Sequence, residues 1–306
     1  MKLHRLFAPL VALLLASPSV FAQSNGSEQE GVRTVGAVGI TERVSDIMAR
    51  AREYDRRAPQ GPRIKYEFEN EYRRPQQAEG AAEVAQWPPL DKKPLAELQK
   101  AGPKAAQTPS TPNFLGANLA DANAFPPDTM GTVGPTQFIV AINGRIRTFS
   151  KATGIADTAI DASTDAFFAS VMTPPTGSNF TSDPRIRYDR LSGRWFIIII
   201  DVPGGTGSLA NRVLVAVSSG STITNASSFT FYQFQMSGSL FADYPTLGID
   251  ANALYIGANM FTLAGSFSST LGSVVNKANL ISGGPITATT FTLVATPSSA
   301  GPLTPQ

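Results

Sequence analysis

The chain has 306 residues, 42% of them hydrophobic, a formal net charge of +2, no cysteine and one histidine, His4. So small a net charge excludes the basic footprint of a nucleic-acid binder. Beyond His4 there is neither imidazole nor thiol, which excludes Ser-His-Asp and Cys-His nucleophilic machinery and zinc, copper or iron held by those ligands.

The N-terminus opens with Lys2, His4 and Arg5, continues through an apolar stretch over residues 6–15, and reaches a small-residue cleavage site at Val20-Phe21-Ala22. This is the pattern of a secretory signal peptide spanning residues 1–22, too short to cross a bilayer. No later apolar run is long enough to do so, so the expected product is secreted or periplasmic, with no membrane insertion after signal cleavage. Residues 23–112 are charged and rich in Gln, Ala and Pro. Within them Val44, Ile47, Met48 and Ala51 recur at helical spacing and predict one amphipathic helix over 41–54. Pro94 opens a second short helix that Gly102-Pro103 stops. The remainder reads as linker. Its low apolar content favours a flexible spacer or pro-segment over a partner-binding arm.

From residue 113 the composition changes. Glu97 is the last glutamate, and short β-branched and aromatic runs alternate with Gly, Pro, Asn and Ser, the signature of an all-β domain over 113–306. One phrase occurs there three times, as PPDTMGTVGPTQF (126–138), SDPRIRYDRLSGRWF (182–196) and ADYPTLGIDANALYIG (242–257). Each copy opens on an Asp, turns at Gly134, Asp189 or Asp250, and climbs into an aromatic-led strand. A spacing of roughly 55 to 60 residues marks repeats of one supersecondary unit, over about 126–180, 181–240 and 241–297. The second repeat predicts four strands, at 185–188, 194–201, 212–217 and 229–234, and the third at 246–249, 254–259, 273–281 and 289–294. The first supplies 131–133, 137–142 and 145–150. Its fourth strand is obscure, because 164–171 also reads as a helical turn. Four antiparallel strands per repeat is the blade of a β-propeller.

The three phrases, in this order, resemble a family of exported bacterial β-propeller proteins, mostly without assigned activity, over residues 113–297. The resemblance implies a propeller for the whole domain and brings no catalytic residues with it. About three blades are too few to close a ring. The expectation is therefore an incomplete propeller, the first part of a longer protein or a truncated product, in preference to a chain that closes its ring by oligomerising.

Asp128, Asp183 and Asp243 open the repeats. One reading makes them a ring of oxygen ligands for calcium, or an acidic throat for a polar ligand. The other makes each a hydrogen-bond acceptor for backbone N–H groups. Arg185 and Arg187 share one side of a strand and suit an anionic ligand, unless they pair with Asp183 and Asp189. Tyr188, Tyr244 and Tyr255 suit a sugar-stacking surface or packing, and Asp189 and Asp250 are ordinary turn formers. A glycosidase-like extracellular hydrolase would need a facing pair of carboxylates, and no spacing marks one. The residues thus favour a non-catalytic module for an extracellular glycan or protein ligand, with Asp128, Asp183, Asp243, Arg185, Arg187 and Tyr244 as its candidate contacts.

Overall fold

The computed structural model describes residues 30–57, 63–64, 113–172 and 179–294, and every element below lies in one compact unit, Gly31–Gln306. The signal peptide expected over 1–22 and the short helix expected from Pro94 fall outside the described residues. The unit begins with strands β1 (Val32–Val38) and β2 (Ile40–Arg43) and helix α1 (Val44–Arg57). A two-residue strand, β3 (Arg63–Ile64), pairs in parallel with β4 (Ala124–Phe125), which follows the one-turn helix α2 (Leu119–Ala122).

Three antiparallel meanders follow. The first sheet is β5 (Met130–Val133), β6 (Gln137–Ile142), β7 (Arg145–Ser150) and β8 (Ala156–Ala162), with the helical turn α3 (Thr164–Phe167) behind it. The second is β9 (Phe180–Asp189), β10 (Arg194–Val202), β11 (Val213–Ser218) and β12 (Ser228–Phe234). The third is β13 (Leu240–Ile249), β14 (Ala253–Thr262), β15 (Phe267–Asn276) and β16 (Pro285–Val294), with α4 (Lys277–Ser282) before its last strand. The fold is all-β, and each of these sheets is open. The obscure fourth strand of the first repeat is β8. The strand expected at 273–281 divides at Asn276, whose side chain accepts the Asn279 N–H at 2.9 Å and starts α4 instead.

Burial explains the apolar run RWFIIIIDV. A strand covered on both faces loses the polar alternation of a half-exposed one. Trp195, Ile197 and Ile199 of β10 pack with Ile139, Ala141 and Ile146 of the first sheet. Phe196, Ile198 and Ile200 pack with Leu254, Ile256 and Met260 of the third. The second sheet is therefore the middle layer of the stack, and its central strand belongs to two cores. Innermost in each meander, β5, β9 and β13 are sequential neighbours in space.

The linker expectation does not hold over residues 32–40, which together with 41–43 supply β1 and β2. β1 adds a fifth strand to the outer edge of the third sheet, pairing Val32–Val35 with Thr290–Thr287. β2 does the same for the second, pairing Ile40–Arg43 with Phe231–Ser228. α1 then lies against β8 and α3 beside the first sheet. Its buried stripe is Val44, Ile47, Met48 and Ala51, as the spacing requires. The helix begins at Val44, later than expected, because residues 40–43 are spent on the ladder. The first free helical N–H groups are met by the β11–β12 loop, with Val44 donating to the Ser227 carbonyl at 2.9 Å and Ser45 to that of Asn225 at 3.2 Å. Arg50 adds a bond to the Ala166 carbonyl at 2.8 Å. Capping the outer edges this way leaves the exposed Arg33 and Arg43 on the new ones, which discourages edge-to-edge pairing.

One buried ion pair ties the second sheet to the third. Asp189, in the β9–β10 turn, accepts from Lys277 Nζ of α4 at 2.8 Å, and both side chains are about 95% buried. Burial pushes the Asp189 carboxyl up, but Lys277, the Ser192 hydroxyl and the Leu191 amide together hold it below the ordinary aspartate value. A carboxyl depressed in the folded state contributes stability that is complete above its unfolded value, about 3.9, and lost as the pH falls through the folded one. Asp189→Asn should therefore cost about 3–5 kcal/mol near neutral pH, because it removes the counter-charge of a buried ammonium that otherwise meets, among the described residues, only the Asp250 carbonyl. In thermal melts across pH, the gap between variant and parent should close in acid. A gap independent of pH would contradict this.

Candidate functional site

Sequence alignment of the three phrases places their Asp residues in one ring. The backbone aligns them differently. In the second sheet Ser182 faces Ile200 and Arg185 faces Ile198, so Asp183-Pro184 bulges out of the ladder. In the third, Asp243 faces Asn259 and Thr246 faces Gly257, so the bulge is Tyr244-Pro245. In the first, Met130 faces Ala141, and Asp128 stands two residues before it. The equivalent residues are thus Asp128, Asp183 and Tyr244, and all three are left-handed, with φ of 40°, 60° and 48°. Asp243 corresponds to Ser182. Among the described residues no three His, Cys, Asp or Glu side chains gather as metal ligands.

Left-handed non-glycine residues cost roughly 1–3 kcal/mol each and need support. Here hydrogen bonds run from sheet to sheet. Asn143, in the β6–β7 turn, donates through Nδ2 to Asp128 Oδ2 at 2.5 Å and to the Pro126 carbonyl at 2.9 Å. Its Oδ1 accepts the Asp183 N–H at 2.8 Å. Asp183 Oδ2 in turn accepts the Tyr244 N–H at 3.3 Å. The turn that presents Asn143 needs Gly144, at φ 82°, where a β-carbon would strike the Ala122 carbonyl. Asn211, between β10 and β11, makes a comparable clasp, exchanging two bonds with the Ala242 backbone at 2.7 and 2.8 Å. Asp183 does accept a backbone N–H, but from Tyr244 of the next sheet, whereas Asp128 accepts from the Asn143 side chain of its own sheet. Asp189 and Asp250 do cap their own turns, the latter accepting from Asn252 and Ala253 N–H at 2.7 and 2.9 Å.

The residue two past each kink is Met130, Arg185 or Thr246, and these three line one groove of about 610 Å³. Each innermost strand therefore contributes the same position to it. Arg187, Tyr244 and Tyr255 also line it, whereas Tyr188 packs on the Trp195 ring, 4.9 Å between centroids. Arg185 lies over the Tyr244 ring, 4.4 Å from its centroid, and is only 5% exposed. Its single hydrogen bond among the described residues goes to the adjacent Pro184 carbonyl at 3.0 Å. The expected pairing with Asp183 or Asp189 is absent there, since Asp189 is engaged by Lys277. The described lining contains no carboxylate.

A smaller cavity, about 70 Å³, lies where α1, α2 and the β6–β7 turn meet. Its carboxylates serve structure, because Arg145 holds Asp55 at 3.0 Å and Arg147 holds Asp121 at 3.1 Å. The Arg147 bond also draws the Asp121 carboxyl below its ordinary value.

Sequence reasoning singled out Arg185, Arg187 and Tyr244, and the fold brings them together. It missed Asn143, Met130 and Thr246. The usable signal was the prolines, since aligning Pro184 with Pro245 shifts the third copy by one and exposes the true equivalence. Asn143→Ala should lower stability by about 2–3 kcal/mol in urea unfolding, as it strands the Asp183 N–H and removes a donor from Asp128. A change within about 0.5 kcal/mol, ordinary for a surface site, would contradict the clasp.

No family model matches the chain, and no curated protein and no solved structure matches it.

Proposed function

We propose that the three meanders are consecutive blades of a β-propeller, and that the chain is an exported, non-catalytic binding module whose ligand enters the groove at the innermost strands. The observation that carries this reading is the convergence of Met130, Arg185 and Thr246, one equivalent position from each sheet, on a single groove. Repetition about a common axis is what a propeller does, and its ligands commonly sit where the innermost strands meet. The groove volume lies in the range of small-molecule sites. The family resemblance of the three repeated phrases belongs to the same proposal, and export rests on the leader pattern of residues 1–22.

A binding role is favoured over hydrolysis by chemistry. Cleavage of a glycosidic bond by paired carboxylates needs two of them facing the substrate, and the described groove offers guanidinium, phenol and thioether groups. Asp128 and Asp183 are engaged in the inter-sheet relay. The partner class is an extracellular glycan or protein.

The exported chain, applied to arrays of extracellular glycans and peptides, should retain a ligand that mass spectrometry recovers intact. Tyr244→Ala should lose that retention. Recovery of cleaved ligand, with cleavage abolished in Asp183→Asn, would restore the hydrolase reading.

A further inference from the structure

Arg185 is the one feature of the groove that the fold itself does not account for. A guanidinium carries five N–H donors and a permanent charge. Removing it from water is costly unless it is paired and hydrogen-bonded. Arg185 is 5% exposed, yet among the described residues it makes one hydrogen bond, to its neighbour's carbonyl, and no ion pair. Stacking on Tyr244 offsets part of that cost. It also fixes the plane of the fork without occupying its donors.

Arg187 stands two residues on, on the same face of β9, and is exposed. A strand places such residues about 7 Å apart, a span that one bridging oxyanion reaches from both guanidinium groups. Among the described residues it too bonds a backbone carbonyl, that of Ile186 at 3.1 Å. No carboxylate in the described lining competes for either group.

Resting on the reading of this groove as the binding site, we infer that Arg185 and Arg187 form a preorganised oxyanion site for a small ligand bearing a carboxylate or sulfate group. Arg185 supplies the buried fork, held by Tyr244, and Arg187 the exposed second arm that meets the anion from the solvent side. Met130 and Thr246 flank the pair, so the remainder of the ligand meets one thioether and one hydroxyl. A ligand of mono- to disaccharide size fits the volume of about 610 Å³. Bidentate recognition of an oxyanion is what arginine does better than lysine.

The test is calorimetric titration of the exported chain with a diuronate, a sulfated disaccharide, succinate and a neutral disaccharide. Binding of the charged probes and not the neutral one supports the site. Binding of the diuronate alone assigns the group to a uronic acid, and binding of the sulfated sugar alone assigns it to a sulfate. Affinity should fall with salt, and Arg187→Ala should weaken it about tenfold to hundredfold, as loss of a charge-assisted hydrogen bond does. Arg185→Met should abolish binding while leaving the melting temperature unchanged or raised, because it removes an unpaired buried charge. Equal binding of the neutral sugar, lost in Tyr244→Ala, would overturn the anion assignment and leave the binding-module reading standing. No binding of any probe by the folded chain, or melting destabilised by Arg185→Met, would overturn the inference.

Discussion

The structure depends on one strand being buried on both faces. β10 sends Trp195, Ile197 and Ile199 one way and Phe196, Ile198 and Ile200 the other. Each such side chain is worth about 1.5–3 kcal/mol when fully removed from water, so this single strand anchors both cores. It also sets the order of the layers, because its two faces belong to different cores. β5, β9 and β13 lie side by side, and the groove forms where they meet.

Stacking open sheets solves burial and creates a second difficulty, because every sheet keeps an outer edge with unpaired backbone groups. The charged N-terminal segment answers it for all three. Twelve or so residues of ladder and one helix cannot fold alone. Laid along existing edges they need contribute only pairing and one apolar stripe. That is why a segment too polar to make a core is nonetheless ordered. The inner ends are secured by other means, the Asn143 and Asn211 side chains and the Asp189–Lys277 pair, each joining one sheet to the next. Polar groups at these places fix the register between layers, which non-directional apolar packing cannot do.

The meander strands were legible because their side chains alternate or run apolar between glycine- and proline-rich turns. The second sheet, which is buried most completely, was clearest. β8 was hidden because ADTAIDA is made of small and polar residues and reads weakly in any pattern. β1 and β2 were hidden for a different reason. Their partners, Thr287–Thr290 and Ser228–Phe231, lie about 190 to 260 residues away, and no local period reports a pairing across that distance. At the site, Arg185, Arg187 and Tyr244 could be named because charge and aromaticity are visible in a string. Their neighbours Met130 and Thr246 carry no chemical label, and only the register of the bulges makes them equivalent. The three opening Asp residues do not share one backbone position because of that same register, a one-residue shift between Asp183-Pro184 and Asp243-Tyr244-Pro245.

Native-state hydrogen exchange, read by mass spectrometry at peptide resolution, tests the central claim most directly: that the second sheet is the shared middle layer and that residues 32–57 complete the outer edges. The amides of residues 197–200 are expected to exchange slowest, with global unfolding, and those of 33–35 and 41–43 to be protected well above random-coil rates. Free exchange across 32–57 in a chain whose sheets stay protected would contradict the account.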